Sequence, residues 1–404
     1  MPVDLEPAHH LLPVKGVRLA ATYAGIRLHV REDMALVELA EGSTLAGVFT
    51  QNKMQAAPVK LARHHLTCGD TRYWLINAGN ANAGTGMQGD QDALQSCTDV
   101  AKLVSCEPYQ VLPFSTGVIG EYLPMNKITQ GVTQLVPDLS ENNWQIAAEA
   151  IMTTDTVAKG YSVQLEYGEK TVTITGIAKG AGMICPNMAT MLAFITTDAA
   201  IPEAALQEVH EKAVNISFNR ITVDGDTSTN DACVLAATGQ SGVTISDNSP
   251  ELNKFKTALC ELYQCLATAV IRDAEGITKF ITLNILNCKD DAEGLQVAYT
   301  VAHSPLVKTA FFASDANWGR ILAAVGRAPI PDLVMEDIDI SIEGVLILKN
   351  GQRSATYTEA EGALAMANDE IVVDIDLNRG AESVTVWTTD LSHDYIKINA
   401  EYRT

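Results

Sequence analysis

Apolar positions along this 404-residue chain change period in blocks. Alternating or short apolar runs bounded by Gly and Asp predict strands at Ile26–Val30, Met34–Leu39, Leu45–Thr50 and Trp74–Asn77. The last of these empties into a loop of small residues, Ala78–Gly86. Apolar residues at 93, 94, 97, 100, 101 and 104 then mark one face of a helix over Asp92–Cys106. Val111–Phe114 reads as a strand running into Ser115-Thr116-Gly117-Val118-Ile119-Gly120. Ser140 is the expected cap of a helix covering Trp144–Met152, which ends in the hydroxyl cluster Thr153-Thr154-Asp155-Thr156.

A hairpin is expected from Tyr161–Tyr167 and Thr171–Ile177 around Gly168-Glu169-Lys170. Helices follow at 202–215, Leu252–Val270 and Trp318–Val325. The pattern returns to strands at Ile338–Leu348, Glu370–Leu377, Ser383–Trp387 and Tyr395–Asn399. Strands and helices in blocks predict an α+β or layered α/β fold, not a doubly wound sheet. Length suggests two or three domains, but no linker or repeat marks a boundary.

Composition narrows the function classes. A hydrophobic fraction of 47% with 19% charged residues is that of a folded globular chain. The formal charge of −21 argues against nucleic acid or an anionic membrane as partner, because both demand a cationic surface. Residues 1–13 lack a basic end followed by an apolar run, and no stretch reaches transmembrane length, so a cytoplasmic protein is expected. The eight cysteines (68, 97, 106, 185, 233, 260, 265 and 288) form no Cys-x-x-Cys pair and read as reduced core thiols, with no zinc site. No metal is expected.

The densest chemistry lies in Lys179-Gly180-Ala181-Gly182-Met183-Ile184-Cys185-Pro186-Asn187-Met188-Ala189-Thr190-Met191-Leu192. A glycine-bearing loop delivers Thr190 to the head of an apolar strand. Alone, such a Thr is an ordinary strand residue; in this company it is a candidate nucleophile. Its hydroxyl is placed to attack the preceding Ala189 carbonyl. An acyl shift and hydrolysis then leave a free α-amine of pKa roughly 7.7–8.0 that serves as base for the same hydroxyl.

Thr116 and Gly117 read either as a turn or as an oxyanion hole made of a hydroxyl and an N–H. Lys179 is either a solvated residue closing a hairpin or a cation that receives a substrate carboxylate and lowers the amine pKa. The run Ser217–Asp231 is too rich in hydroxyls and carboxylates for a plain loop, and its Gly and Glu are misplaced for calcium, so it reads as a polar network lining the site. Glu275, before Gly276, is either a cap on a solvated turn or a binder of ammonium. The glycine-rich segments at 79–86 and 180–182 lack phosphate-loop spacing, which excludes a nucleotide site of that kind.

On these residues the chain resembles the bifunctional ornithine acetyltransferase family of arginine biosynthesis. The resemblance runs through Ala46–Thr50, Gly79–Gly86, Ser115–Gly120, Met152–Thr156, Lys179–Leu192, Asn219–Asp231, Asp273–Gly276 and the tail Asn399–Thr404, essentially the whole chain. It implies self-cleavage between Ala189 and Thr190 into an α chain of 1–189 and a β chain of 190–404, associating as an α2β2 heterotetramer. It further implies that mature Thr190 takes acetyl from N2-acetylornithine and passes it to glutamate, with Thr116 and Gly117 as the oxyanion hole. Substrate contacts fall by the same pattern on Thr153 or Thr154, Lys179, Thr190, Glu275, Asn399 and Thr404. No cofactor is implied, although acetyl-CoA is a second acetyl donor in part of the family. The rivals are an N-terminal-nucleophile aminopeptidase or amidase, which releases the acyl group to water, and a non-catalytic amino-acid-binding protein, which stays uncut.

Overall fold

The computed structural model describes residues 2–8, 10–27, 30–185, 191–247 and 249–401. It divides into two compact units: one of residues 6–219 and 226–270, the other of residues 1–5, 220–225 and 271–404. These units follow a different division from the expected α and β chains.

The first unit is layered. One sheet has four strands, β1 (Val17–Thr22), β2 (Met34–Leu39), β4 (Tyr73–Asn80) and β5 (Val111–Val118), in the order β1-β2-β4-β5. The other has five, β3 (Thr44–Phe49), β6 (Lys159–Tyr167), β7 (Lys170–Lys179), β8 (Leu192–Thr197) and β9 (Ala232–Ala237), in the order β3-β9-β8-β7-β6. Each sheet is mixed: β4 runs parallel to β5 and β8 parallel to β9, and the remaining pairings are antiparallel.

Both sheets feed one core, in which Val37, Trp74, Leu112 and Phe114 meet Leu45, Ile177, Phe194 and Val234. Phe194 is its centre, with ring centroids 5.7 Å from Trp74 and 5.0 Å, edge-on, from Phe114. The outer face of the four-stranded sheet packs Met34, Leu36 and Leu75 against helices α2 (Gly86–Val104) and α3 (Met125–Leu135). On the five-stranded sheet, Gly176 leaves room for Leu262 and Leu266 of α6 (Pro250–Arg272). All residues of β8 and β9 are buried, as strands covered on both faces must be.

The second unit is a six-stranded sheet, β13-β12-β11-β14-β10-β15. Its strands are β10 (Phe280–Cys288), β11 (Asp339–Ile342), β12 (Val345–Lys349), β13 (Gln352–Arg353), β14 (Glu370–Asp376) and β15 (Glu382–Thr389). Only β10 and β14 pair in parallel. Helices α7 (Asp291–Ala302), α8 (Pro305–Phe312) and α9 (Trp318–Val325) share its core. The fold is thus α+β with mixed sheets, as the blocks of the sequence predict. Among the described residues no helix is long and apolar enough to cross a membrane.

Several elements differ from expectation. Ile26, Arg27 and Val30 are not in a strand, and Leu28 and His29 lie outside the described residues. Asp33 explains the turn: its buried carboxylate accepts the Ala24, Ile26 and Arg27 N–H groups, so that backbone bonds to a side chain. Ser140 does not cap α4 (Trp144–Ala150); the N-cap position is Asn143. The stretch Ile338–Leu348 is a hairpin, because Glu343 (φ 49°) and Gly344 (φ 74°) take the left-handed pair that a tight turn requires. Tyr395–Asn399 is helical within α11 (His393–Ala400), started by Ser392, whose hydroxyl accepts the Tyr395 N–H. No disulfide joins the eight cysteines, and of these Cys97, Cys185, Cys233 and Cys288 are buried whereas the other four are partly or fully exposed.

Phe194→Ala should destabilise the protein by about 3–5 kcal/mol, because the neighbouring rings come from separate strands and cannot collapse into the void. Denaturant unfolding of the two proteins measures the loss.

Candidate active site

Local hydrogen bonding fixes the end of β5 before any ligand is considered. Ser115 Oγ donates to Asn77 Oδ1 at 2.6 Å, and Asn77 Nδ2 donates to the Asn80 carbonyl at 2.8 Å. Asn230 Nδ2 donates to the Ala81 carbonyl (2.6 Å) and to the Ser115 carbonyl (2.8 Å). The 219–231 run therefore clamps both parallel strands just where Thr116 and Gly117 sit. Gly117 has φ 134°, and a Cβ there would lie 2.2 Å from the Gly79 carbonyl carbon. Only glycine fits so close a strand approach.

Lys179 ends β7 and is buried, not solvated; its Nζ donates to Thr116 Oγ1 at 3.1 Å. A hydroxyl that accepts from a lysine keeps its own hydrogen to donate elsewhere. The Thr116 hydroxyl is therefore free to donate to a further acceptor. Burial lowers the Lys179 pKa; Asp155 and Asp231 pull it up, and Lys159 and Arg27 push it down.

Asp155 is the hub beneath this pair. Its Oδ1 accepts from Lys159 Nζ and from the Gly180 N–H, each at 2.7 Å, and its Oδ2 accepts the Thr153 N–H at 2.8 Å. Neither side chain of the Asp155–Lys159 pair is exposed. Burial by itself raises the Asp155 pKa, but Lys159, Lys179 and these hydrogen bonds outweigh it and hold the carboxyl below its usual range. The hub ties the Thr153-Thr154 turn to the head of β6 and to the glycine loop after β7. Thr153 and Thr154 are both half-buried.

The structure thus brings Thr116, Gly117, Thr153 and Lys179 into one connected network within the first unit. In the second unit, Asn399 Nδ2 donates to Glu275 Oε2 at 2.8 Å. Glu275 is buried, so it is not a cap on a solvated turn. Gly276 (φ 68°) lets α11 approach: a Cβ there would lie 2.3 Å from the Tyr395 nitrogen. Ala189, Thr190 and Thr404 lie outside the described residues. The sequence reading singled out neither Lys159 nor the hub role of Asp155. The signal was present in Asp155 and Lys159 four apart, two opposite charges inside an otherwise apolar and hydroxyl-bearing stretch. Among the described residues no three His, Cys, Asp or Glu side chains gather as a metal site would require.

Fold and network together define a class: an α+β protein of mixed sheets in which a buried lysine donates to a threonine hydroxyl. The ArgJ family model matches residues 18–404. A relative from Pseudomonas fluorescens (strain Pf0-1), named arginine biosynthesis bifunctional protein ArgJ, is 52% identical over the full length of both chains. A protein of the same name from Methylococcus capsulatus is 52% identical, covering 98% of this chain and 97% of its own. A solved structure of a Bacillus halodurans protein with that name is 37% identical, covering 51% of this chain and 97% of its own at a TM-score of 0.49. The chain belongs to the ArgJ family, the ornithine acetyltransferase family of arginine biosynthesis.

Asp155→Asn should cost about 3–5 kcal/mol at neutral pH, since it strands Lys159 in the interior. Because the folded pKa of Asp155 lies below its unfolded value, the carboxylate stabilises fully above the unfolded pKa of about 3.9 and progressively less as pH falls toward the folded one. The gap between wild type and Asp155→Asn should accordingly narrow in acid, as denaturant melts across a pH series will record. Gly117→Ala should lower stability more than Gly120→Ala: both have left-handed φ, but at Gly120 a Cβ meets nothing within 4 Å. Paired thermal melts compare the two.

Proposed function

We propose that the chain is a self-processing acetyltransferase that moves acetyl from N2-acetyl-L-ornithine to L-glutamate through an acetyl-Thr190 enzyme. Membership of the ArgJ family carries this reading, and the Lys179–Thr116 contact beside Gly117 supports it. In maturation the Thr190 hydroxyl adds to the Ala189 carbonyl, the acyl group shifts from nitrogen to oxygen, and water hydrolyses the ester. The products are an α chain of 1–189 and a β chain of 190–404 with a free threonine amine.

In turnover that amine takes the hydroxyl proton as oxygen bonds to the acetyl carbon. The Thr116 hydroxyl and the Gly117 N–H stabilise the oxyanion, each such donor contributing about 2.7–4 kcal/mol. The ammonium then protonates the departing amine of ornithine. Glutamate's amine attacks the acetyl-enzyme by the reverse sequence and leaves as N-acetylglutamate. We assign the substrate carboxylate to Lys179, a polar contact to the Thr153-Thr154 pair and an ammonium to Glu275. Asn399 orients Glu275, and Thr404 is a further contact. Burial of Thr116 and Lys179 keeps water from the acetyl-enzyme, which favours transfer over hydrolysis.

The relatives' printed name says bifunctional. For this chain we take the second activity to be acetylation of glutamate from acetyl-CoA. An α2β2 assembly in the cytoplasm completes the proposal.

Intact-mass spectra test it. Wild type should appear as two chains, and the one beginning at Thr190 should gain a single acetyl group on exposure to N2-acetylornithine. Thr190→Ala should remain one chain and take up none; a cut, active Thr190→Ala protein would sink the mechanism.

A further inference from the structure

The stretch 24–27, after β1, has no role in the chemistry above, yet it packs against its centre. Asp33 pins it there: the buried carboxylate accepts the Ala24, Ile26 and Arg27 N–H groups, and the Asp33 carbonyl accepts the Ala78 N–H of β4 at 2.8 Å. The turn so formed closes over Gly79. A Cβ at Gly79 would lie 2.8 Å from Arg27 Cγ and 3.2 Å from Ile26 Cγ2. Gly79 is also the residue that Gly117 touches, in register across β4 and β5. The Arg27 stem and Gly117 thus share one glycine as neighbour, with Thr116 next in the chain and Lys179 Nζ on the Thr116 hydroxyl. Arg27 Nε and Nη2 are buried.

We infer that Arg27 is a specificity residue for the acetyl acceptor: its guanidinium takes the side-chain carboxylate of glutamate, while Lys179 holds the α-carboxylate. This rests on the acetyl-transfer reading above. The two substrates share an α-carboxylate and an α-nitrogen that must meet the same acetyl group. Beyond that they are opposite, since ornithine ends in an ammonium and glutamate in a carboxylate. Glu275 is assigned to the ammonium, so the acceptor half of the reaction needs a second cation. Lys159 is committed to Asp155 and Arg31 to the Met152 carbonyl, whereas the Arg27 stem lies on the glycine that Gly117 touches.

A guanidinium suits this task, because its planar fork matches a carboxylate bidentately and keeps its charge on burial. Burial is the chief cause that lowers the Lys179 pKa, and Arg27 lowers it further, as one cation acts on another. An acceptor with two carboxylates offsets that repulsion. A ligand ending in an ammonium adds to it, so the same pair of cations separates acceptor from donor.

The test compares glutamate with glutamine as acceptor, in wild type and in Arg27→Gln, with intact mass recorded for both. Glutamine as acceptor replaces only the side-chain carboxylate, and glutamine at position 27 keeps the Cγ that covers Gly79. Wild type should prefer glutamate in kcat/KM. Arg27→Gln should still be cut and acetylated, but lose about tenfold to a hundredfold with glutamate, the range for a hydrogen bond to a charged group, and far less with glutamine. Arg27→Lys should fall between, with the charge kept and the fork lost. An equal loss with both acceptors, or a glutamate-to-glutamine ratio that does not move, overturns the inference and leaves acetyl transfer standing. A wild-type chain that is neither cut nor acetylated removes that reading, and the inference with it. Should Arg27→Gln fail to fold, the same ratio in Arg27→Lys decides: a lowered ratio supports the assignment and a wild-type ratio overturns it.

Discussion

The burial of Asp155 is the constraint on which the first unit's polar centre depends. An isolated carboxylate in the interior is unaffordable, so its oxygens must be matched by charge and by N–H donors. Lys159, the Gly180 N–H and the Thr153 N–H supply that match; Thr153 and Lys159 flank Asp155 closely in sequence, whereas Gly180 lies 25 residues on. Satisfying one carboxylate therefore fixes a turn, the head of β6 and the exit of β7 at once. Lys179, which leaves β7 at that exit, inherits its position from this arrangement and carries it to Thr116.

A second, neutral network does the same for β4 and β5. Amide side chains are suited to it because each offers donors and acceptors without a charge to desolvate. Asn77, Asn80, Asn82 and Asn230 together occupy carbonyls and N–H groups that a β-ladder cannot reach once the strands diverge. This is why the stretch 77–86, which looks like a glycine-rich flexible loop, is an ordered and largely buried segment. Gly79 and Gly117 are small because two backbones touch there, and not because a phosphate is cradled.

Periodicity made the long amphipathic helices and the buried strands legible: α6, α9, the β6–β7 hairpin and β14 fall where the pattern places them. It failed where capping or turn chemistry decided the outcome. Tyr395–Asn399 alternates like a strand, yet Ser392 starts a helix; Ile338–Leu348 reads as one strand, yet a left-handed pair folds it back. The site was legible as residue types and only partly as connections. Lys179 and Thr116 stand out in sequence, but 63 residues separate them, and no local spacing encodes a 3.1 Å contact. Asp155 and Lys159 are close in sequence, but their complete burial is a tertiary fact that local spacing leaves open.

The chain's acidity and the character of its centre then need reconciling, because a net charge of −21 should repel an anionic substrate. Distance resolves the conflict. Surface charges act through water and salt, which screen them over about 8 Å at physiological ionic strength. Lys159, Lys179 and Asp155 are buried beyond such screening, and Asp155 is matched to Lys159, which leaves Lys179 as the cation beside Thr116. At close range that buried charge outweighs a diffuse negative field of much larger total, since the interaction scales inversely with both separation and effective dielectric. Overall charge thus bears on solubility and encounter, whereas a carboxylate that has arrived responds to the few groups within reach. The acidity that argues against nucleic acid as a partner is therefore compatible with the carboxylate contact proposed for Lys179.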